Sequence, residues 1–321
     1  MKKMWRAGVA LILAGVVNLA HGQAFPNKPV RFVIGFTPGT IVDIVARLVG
    51  TEMEKRLGQP VVLEFKSGAN GTIGAKFVSS APADGYTLFY GNTTGIHPVF
   101  IRSNAVDAAK DLTPVSLVVT APFFFYTSAK IPARTLQELS AYSKANPADG
   151  LRHGATSATV DLIVQMLANR TGISSRSIPY KASPQIVIAL IAGEVNLATT
   201  SNVQSFLPHV QSGAVRTLFV AAAGRSALVP NVPTAAEVGL ANFELAINFG
   251  LWAPPGTPRD VALKLSEAVS TALKTPAVAE KIRTEAAAEP VGSSPDEQLR
   301  QFDAEIKFWT EAARLANFKA P

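Results

Sequence analysis

The segment Val30–Arg47 constrains the fold more than any other part of the chain. A short apolar run is followed by the turn Thr-Pro-Gly-Thr and then by an amphipathic helical pattern. This order predicts a strand, a tight loop and the N-terminus of a helix. Such a junction leaves backbone N–H groups without partners, and the helix dipole favours an anion at the same place. The segment therefore predicts an anion-binding loop in an α/β fold.

The first 24 residues differ in character from the rest of the chain. Basic residues near the start are followed by an apolar stretch at 7–20, which is shorter than the roughly 20 residues that a membrane helix needs. Small residues follow, and we interpret 1–24 as a secretory signal peptide cleaved after Gly22 or Ala24. The alternative is an N-terminal membrane anchor. The signal peptide predicts an exported protein.

Composition excludes several classes of protein. The chain has no cysteine, so it contains neither a disulfide framework nor a lipidation site of the lipoprotein type, and its 48% hydrophobic residues have to supply the cores. The part after the leader, roughly 300 residues, suits two domains. Removing three basic leader residues lowers the formal charge of +7 by three, and the other Lys and Arg residues are scattered. Because the basic residues form no cluster, we expect no nucleic-acid partner. We also assume a monomer.

Short apolar runs alternate with helical patterns, which predicts parallel α/β sheets. The predicted strands are Val30–Phe36, Val61–Phe65, Thr87–Tyr90, Val115–Val119, Phe123–Thr127, Leu197–Thr200, Thr217–Ala221 and Leu245–Leu251. The predicted helices are Ile41–Leu57, Gly74–Ser80, Thr135–Ser143, Ser157–Thr171, Pro184–Ala192, Asn202–Gln211, Thr234–Val238, Pro258–Leu273, Pro276–Glu285 and Pro295–Asn317. Two continuous apolar stretches, Leu112–Thr127 and Asn242–Trp252, contain three of these strands and have the character of paired, extended crossings.

Short motifs occur in a fixed order along the whole mature chain. They are FPNKPVRFVIGFTPG at 25–39, FKSGANGTIG at 65–74, PADGYTL at 82–88, DLTPV at 111–115, IPYK at 178–181, LVPNVPTAAEVGL at 228–240 and GLWAPPGTP at 250–258. Each motif alone is weakly specific. Together the motifs resemble the Bug-type periplasmic solute-binding receptors of tripartite tricarboxylate transport systems.

The resemblance implies a type II periplasmic-binding-protein fold, in which two α/β lobes enclose a ligand cleft. Lobe 1 would comprise 25–122 and 246–321, and lobe 2 would comprise 123–245. The resemblance also implies binding without catalysis, and we expect no cofactor and no metal. The resemblance implies a small carboxylate as the ligand, since the family's usual ligands include di- and tricarboxylates, acidic amino acids and aromatic acids. The membrane components of a tripartite tricarboxylate-type transporter are the implied partner.

The chain departs from the family pattern mainly in its presumed ligand loops. Thr37 stands where the family usually has proline, and Thr40 and Ala182 stand where it usually has glycine. Thr40 and Asp43 also have the spacing of a helix capping box.

Loops that follow the predicted strands supply the candidate ligand contacts. We predict ligand-binding roles for Phe36, Thr37, Gly39, Thr40, Asp43, Asn70, Asn92, Thr93, Thr94, Thr156, Ser157, Thr159, Tyr180, Ser183, Thr200 and Asn202. Helix capping is the alternative for Thr40, Asp43 and Ser183, and a plain left-handed turn is the alternative for Asn70. The glycines of the Gly68–Gly74 loop lack the spacing of a dinucleotide-binding motif.

Two other functions remain open at this point. A hydrolase would need a base beside a nucleophile, and His97 or His153 near a serine would be the only choice. A sensory protein would bind the same ligand and report it to a membrane kinase. The histidines are too scattered for a metal motif. We predict an extracytoplasmic receptor for a small organic carboxylate.

Overall fold

The computed structural model describes residues 25–97, 99–100, 106, 108–147 and 150–318. The predicted signal peptide at 1–24 lies outside the described residues. Among the described helices, none combines the length and the apolar character that a membrane crossing requires.

Strands and helices alternate along most of the chain. In chain order they are β1 (Val30–Ile34), α1 (Ile41–Leu57), β2 (Val61–Phe65), α2 (Thr72–Ser79), β3 (Thr87–Asn92), α3 (Ala108–Asp111), β4 (Thr113–Pro122), β5 (Phe124–Ser128), α4 (Leu136–Ala145), β6 (Leu151–Ala155), α5 (Ala158–Thr171), β7 (Ser175–Pro179), α6 (Ser183–Ala192), β8 (Leu197–Thr200), α7 (Leu207–Gln211), β9 (Val215–Val220), β10 (Ala246–Ala253), α8 (Arg259–Lys274), α9 (Pro276–Ala286), β11 (Glu289–Pro290) and α10 (Pro295–Leu315). Short 3-10 turns lie at Ala69–Gly71, Thr93–Ile96 and Val203–Ser205.

The strands form two sheets. The six-stranded sheet has the order β11-β4-β10-β3-β1-β2, and the five-stranded sheet has the order β7-β6-β8-β5-β9. In the first sheet β1 is parallel to β2 and β3, whereas β10 is antiparallel to β3 and β4. In the second sheet β6 is parallel to β7 and β8, whereas β5 is antiparallel to β8 and β9. The prediction of parallel sheets is therefore wrong, because both sheets are mixed.

The antiparallel pairs arise where the chain passes between the sheets. β4 leads through Phe123 into β5, and the returning chain enters β10 after Leu245. The N–H of Phe123 donates to the carbonyl of Leu245 at 2.9 Å, and the N–H of Leu245 donates to the carbonyl of Ala221 at 2.9 Å. Strands that leave and return at one place run in opposite directions, so they pair antiparallel.

The apolar face of α1 fixes the junction that the sequence made prominent. Val42, Val45, Val49 and Met53 recur at helical spacing, and each is no more than 2% exposed. They belong to the core cluster that also contains Phe32 of β1. This packing holds the N-terminus of α1 beside the carboxyl end of β1.

Several predicted elements differ from the observed ones. The predicted helix at Thr234–Val238 is a series of turns, with a single bridge between Thr234 and Val220. The predicted helix at Asn202–Gln211 is a 3-10 turn followed by α7, because Pro208 occupies the first turn of α7 and favours a helix start there. β6 and β7 were missed, because their sequences LRHGA and SRSIP carry few apolar residues.

Candidate ligand-binding site

A cavity of about 420 Å³ is lined by residues of both sheets. The loops that follow β1, β2, β6, β7 and β8 contribute to its wall. Ligands of open α/β sheets usually lie at the carboxyl ends of the strands, and this volume is within the range of pockets for small molecules. The cavity is therefore the candidate binding site.

The loop between β1 and α1 uses Asp43 internally. The Asp43 Oδ2 atom accepts a hydrogen bond from the Gly39 N–H at 2.9 Å, and Oδ1 lies 2.7 Å from Arg47 Nε. The Thr40 hydroxyl donates to the carbonyl of Thr37 at 2.9 Å and makes no cap to the helix. The Thr40–Asp43 capping box is therefore not formed, and Asp43 stabilises the loop instead.

Three helices, α1, α5 and α6, begin at the cavity. Their N-cap residues are Thr40, Ser157 and Ala182, and none of these residues makes a side-chain hydrogen bond that caps its helix. Away from the cavity, α4 and α10 are capped by Thr135 and Ser294, and α8 and α9 have no side-chain cap. No side chain therefore caps the first-turn N–H groups of α1, α5 and α6, although the N–H groups of Val160 and Gln185 donate to backbone carbonyls and Pro184 has no N–H. Three positive dipole ends converge on one space.

Two residues of the cavity lining carry buried polar atoms without a hydrogen-bond partner. Thr159, in the first turn of α5, lines it; the residue is 2% exposed, and its Oγ1 atom has no hydrogen-bond partner. Asn202, which follows β8, also lines it, and its buried Oδ1 atom has no hydrogen-bond partner. A buried hydroxyl without a partner costs about 1–3 kcal/mol. A ligand that bonded these atoms would remove that cost.

Glycines let two loops of the cavity wall approach each other. A Cβ atom added at Gly35 would lie 2.7 Å from Gly71 Cα, so only glycine fits there without a shift. The neighbouring Asn70 has a left-handed backbone with a φ of 53°. Its Oδ1 atom accepts a hydrogen bond from Asn92 Nδ2 at 3.5 Å. Asn70 is thus both a left-handed turn residue and part of the wall.

The cavity wall is nearly neutral. Lys181 is the one charged residue among the lining residues that the structure describes, and no aspartate or glutamate lines the cavity there. Phe36, Phe123, Ile247 and Phe249 supply apolar surface. The wall therefore suits a ligand with an anionic group and an apolar body.

The structure brings most of the predicted site residues together. The lining includes Phe36, Thr37, Gly39, Thr40, Asn70, Asn92, Thr156, Ser157, Thr159, Ser183, Thr200 and Asn202. It does not include Asp43, Thr93 or Tyr180, and the side chain of Thr94 lies outside the described part of the chain. Ligand-binding roles for all sixteen residues stay predictions.

Some lining residues were missed from the sequence. Lys181 stands in the IPYK motif, so its position next to Tyr180 was a usable signal. Phe123, Ile247 and Phe249 lie in apolar stretches that cross between the sheets. Their pattern indicates only burial, since no local feature distinguishes a cavity wall from a core.

The two histidines considered for a hydrolase lie away from the cavity lining. The His153 Nδ1 atom lies 2.9 Å from Ser175 Oγ, and its Nε2 atom lies 2.9 Å from Asp161 Oδ1. Because a carboxylate only accepts hydrogen bonds, Nε2 donates to Asp161. This cluster ties the first turn of α5 to β6 and β7. Among the described residues, no group of side chains could hold a metal ion.

Comparison with known proteins decides the family. A sequence model described as the tripartite tricarboxylate transporter family receptor matches residues 45–312. The chain belongs to this receptor family. It is 32% identical to protein BugT of Bordetella pertussis over 317 residues, which cover 97% of this chain and 96% of BugT.

Solved structures of the receptor family share the fold. The structure of Rpa4515 of R. palustris with adipate matches at 30% identity with a TM-score of 0.84, covering 92% of this chain and 100% of that chain. The periplasmic binding protein BugD matches at 28% identity with a TM-score of 0.80, covering 92% of this chain and 100% of that chain. The expected Bug-type resemblance and the expected two-lobed α/β fold are confirmed. This receptor family consists of periplasmic binding proteins rather than known enzymes.

Proposed function

We propose that this receptor captures a small organic carboxylate in the cavity and delivers it to the membrane components of a tripartite tricarboxylate-type transporter. The observation that carries the proposal is the convergence of three uncapped helix N-termini on a wall without acidic residues. Helix N-termini bind carboxylates through their free N–H groups and dipoles. The unpartnered Thr159 hydroxyl adds a donor at the same place.

The cavity also limits the ligand's size and shape. A volume of about 420 Å³ accommodates a di- or tricarboxylate, an acidic amino acid or an aromatic acid. The apolar surface from Phe36, Phe123 and Phe249 would contact the carbon chain or ring of such an acid. The related Rpa4515 has adipate bound, which makes adipate the first acid to test.

Binding of the acid would draw the two lobes together. We propose lobe 1 as 25–122 with 246–321 and lobe 2 as 123–245, and periplasmic export through the leader at 1–24. Each lobe supplies helix N-termini to the cavity, α1 from the first and α5 and α6 from the second. A ligand anion bonded to both sets would therefore favour the closed arrangement, which the transporter would recognise. The chemistry proposed for this site is binding without catalysis.

A thermal-shift screen tests the proposal. The mature protein is titrated with aliphatic dicarboxylates, tricarboxylates, acidic amino acids and aromatic acids at neutral pH, and each acid is paired with its uncharged amide. A ligand at about 100 times its Kd adds about 2.7 kcal/mol to the free energy of unfolding. We expect one acid class to raise the melting temperature while its amide does not. A shift given only by neutral or cationic solutes would overturn the proposal.

A further inference from the structure

Glu305 of α10 is a partly exposed residue with a buried carboxyl oxygen, and its carboxyl group bonds two residues next to the cavity wall. The side chain of Asn248 donates a hydrogen bond to its Oε1 atom, and the side chain of Thr93 also bonds the carboxyl group. The Oε2 atom is buried and has no hydrogen-bond partner. A carboxyl oxygen in that situation is much more costly when the group is charged than when it is protonated.

The two residues that bond Glu305 are sequence neighbours of the cavity wall. Asn248 lies on β10 between Ile247 and Phe249, which both line the cavity. Thr93 directly follows Asn92, which lines the cavity as well. Neighbouring residues of a strand face opposite sides of the sheet. The carboxyl group of Glu305 therefore lies behind the wall, on the side of the sheet opposite the ligand.

No charged partner neutralises Glu305 within the described part of the chain. The backbone of Glu305 accepts a hydrogen bond from His97, which is fully buried. Burial lowers the pKa of His97 to about 4, so its ring is neutral above pH 5. The strands β4 and β10 contain no ionisable residue. Tyr90 of β3 has a pKa raised by burial. The remaining charged groups on α10, α8 and α5 are exposed or engaged elsewhere: Asp296, Glu297, Arg300, Asp303, Lys307, Glu311, Arg314, Arg259, Asp260, Lys264, Glu267, Lys274, Asp161 and Arg170.

The carboxyl group of Glu305 changes its protonation state near neutral pH. Burial raises the pKa of this carboxyl group to about 7, although the hydrogen bonds from Thr93 and Asn248 oppose the rise. A bound ligand anion on the other side of the strand would oppose a second negative charge. Ligand binding and protonation of Glu305 would then favour each other, since linkage is reciprocal.

We propose that Glu305 is a positioning residue that takes up a proton when the anionic ligand binds, so that the receptor binds its carboxylate together with a proton. The proposal rests on the proposed function, because it needs an anion in the cavity. Neutral Glu305 keeps Asn248 and Thr93 in place without placing charge behind the wall. Ionised Glu305 would bond the same two donors more strongly but would repel the ligand anion.

Calorimetric titration with adipate as the probe tests this inference. For the wild-type protein we expect the Kd of adipate to rise about tenfold between pH 6 and pH 9. This is the change expected from the repulsion between two unit charges about 10 Å apart at an effective dielectric constant of about 20. Titrations at pH 7.5 in buffers with different ionisation enthalpies should show uptake of about half a proton per ligand, for a tenfold coupling. Glu305→Gln should bind with a Kd close to the wild-type value at pH 6, with neither the pH dependence nor the proton uptake.

Glu311→Gln, at an exposed position of the same helix, is the matched control and should keep the wild-type pH profile. The protonation of adipate itself affects all three proteins equally, so the difference between variants isolates Glu305. A purely structural role would change the Kd of Glu305→Gln by the same factor at every pH, and that result would overturn the inference. Binding of adipate with a flat wild-type profile would also overturn it and leave the proposed function standing. If no acid of the screen bound at any pH, both proposals would fail.

Discussion

Replacing Thr159 by valine separates the binding role of its hydroxyl from its structural role. In the ligand-free protein the Oγ1 atom is buried without a hydrogen-bond partner. Valine has nearly the same shape and removes the unpaired polar atom. The free energy of unfolding of the ligand-free variant should therefore stay the same or rise by about 1 kcal/mol.

The same substitution should weaken binding of the acid. A hydrogen bond to a charged group contributes about 1.5–3 kcal/mol, which corresponds to a Kd about 10 to 150 times higher. The variant should thus combine unchanged or increased stability with a clear loss of affinity. Urea denaturation measures the first quantity, and calorimetric titration with the acid selected by the thermal-shift screen measures the second.

Thr199→Val provides the matched control. Thr199 is also 2% exposed, its Oγ1 atom also has no partner, and the residue does not line the cavity. It should show the same effect on stability with the wild-type Kd. Equal Kd values for Thr159→Val and the wild-type protein would refute the reasoning that the unpartnered hydroxyl serves the ligand.

Three further substitutions test the account through stability. The pKa of Glu305 is raised from 4.5 to about 7, so between these pH values the native protein holds a proton there that the unfolded chain has released. The contribution of Glu305 to the free energy of unfolding should therefore fall by about 3 kcal/mol as pH rises through that window. Denaturation of Glu305→Gln at several pH values should not show this fall. Gly35→Ala should lower the free energy of unfolding by about 1–3 kcal/mol and weaken ligand binding, because the added Cβ would meet Gly71. Gly224 has open space around it, so Gly224→Ala should change neither the stability measured by denaturation nor the Kd measured by calorimetry. Ser294→Ala removes a capping box remote from the cavity and should lower the free energy of unfolding by about 1 kcal/mol in urea, with the Kd unchanged.

Some helices and strands could be predicted from local sequence patterns alone. α1 and β2 have the predicted bounds Ile41–Leu57 and Val61–Phe65, because periodic apolar residues and the following glycine at position 58 mark them clearly. β6 and β7 form through pairing with β8 and with each other, which their polar sequences do not indicate. The mixed sheets were likewise unpredictable from alternation, since strand direction depends on where the chain crosses.

The candidate site was likewise predictable from the sequence only in part. Its loops were found because residues after parallel strands meet at one edge, a rule that needs only the order of elements. Phe123 and Phe249 were missed because their place in the wall depends on how the crossing segments pair. Glu305 was also missed, because its partners Asn248 and Thr93 are far from it in sequence and only the fold places them together.

The central claim is that neutral donors at converging helix N-termini hold a carboxylate in the cavity. Calorimetric titration of the mature wild-type protein with the acid of largest thermal shift, and then with its uncharged amide, tests this claim most directly. The account predicts one acid bound per chain and at least a hundredfold weaker binding of the amide, as expected when charge-assisted hydrogen bonds are lost. Equal affinity for the acid and its amide would contradict it.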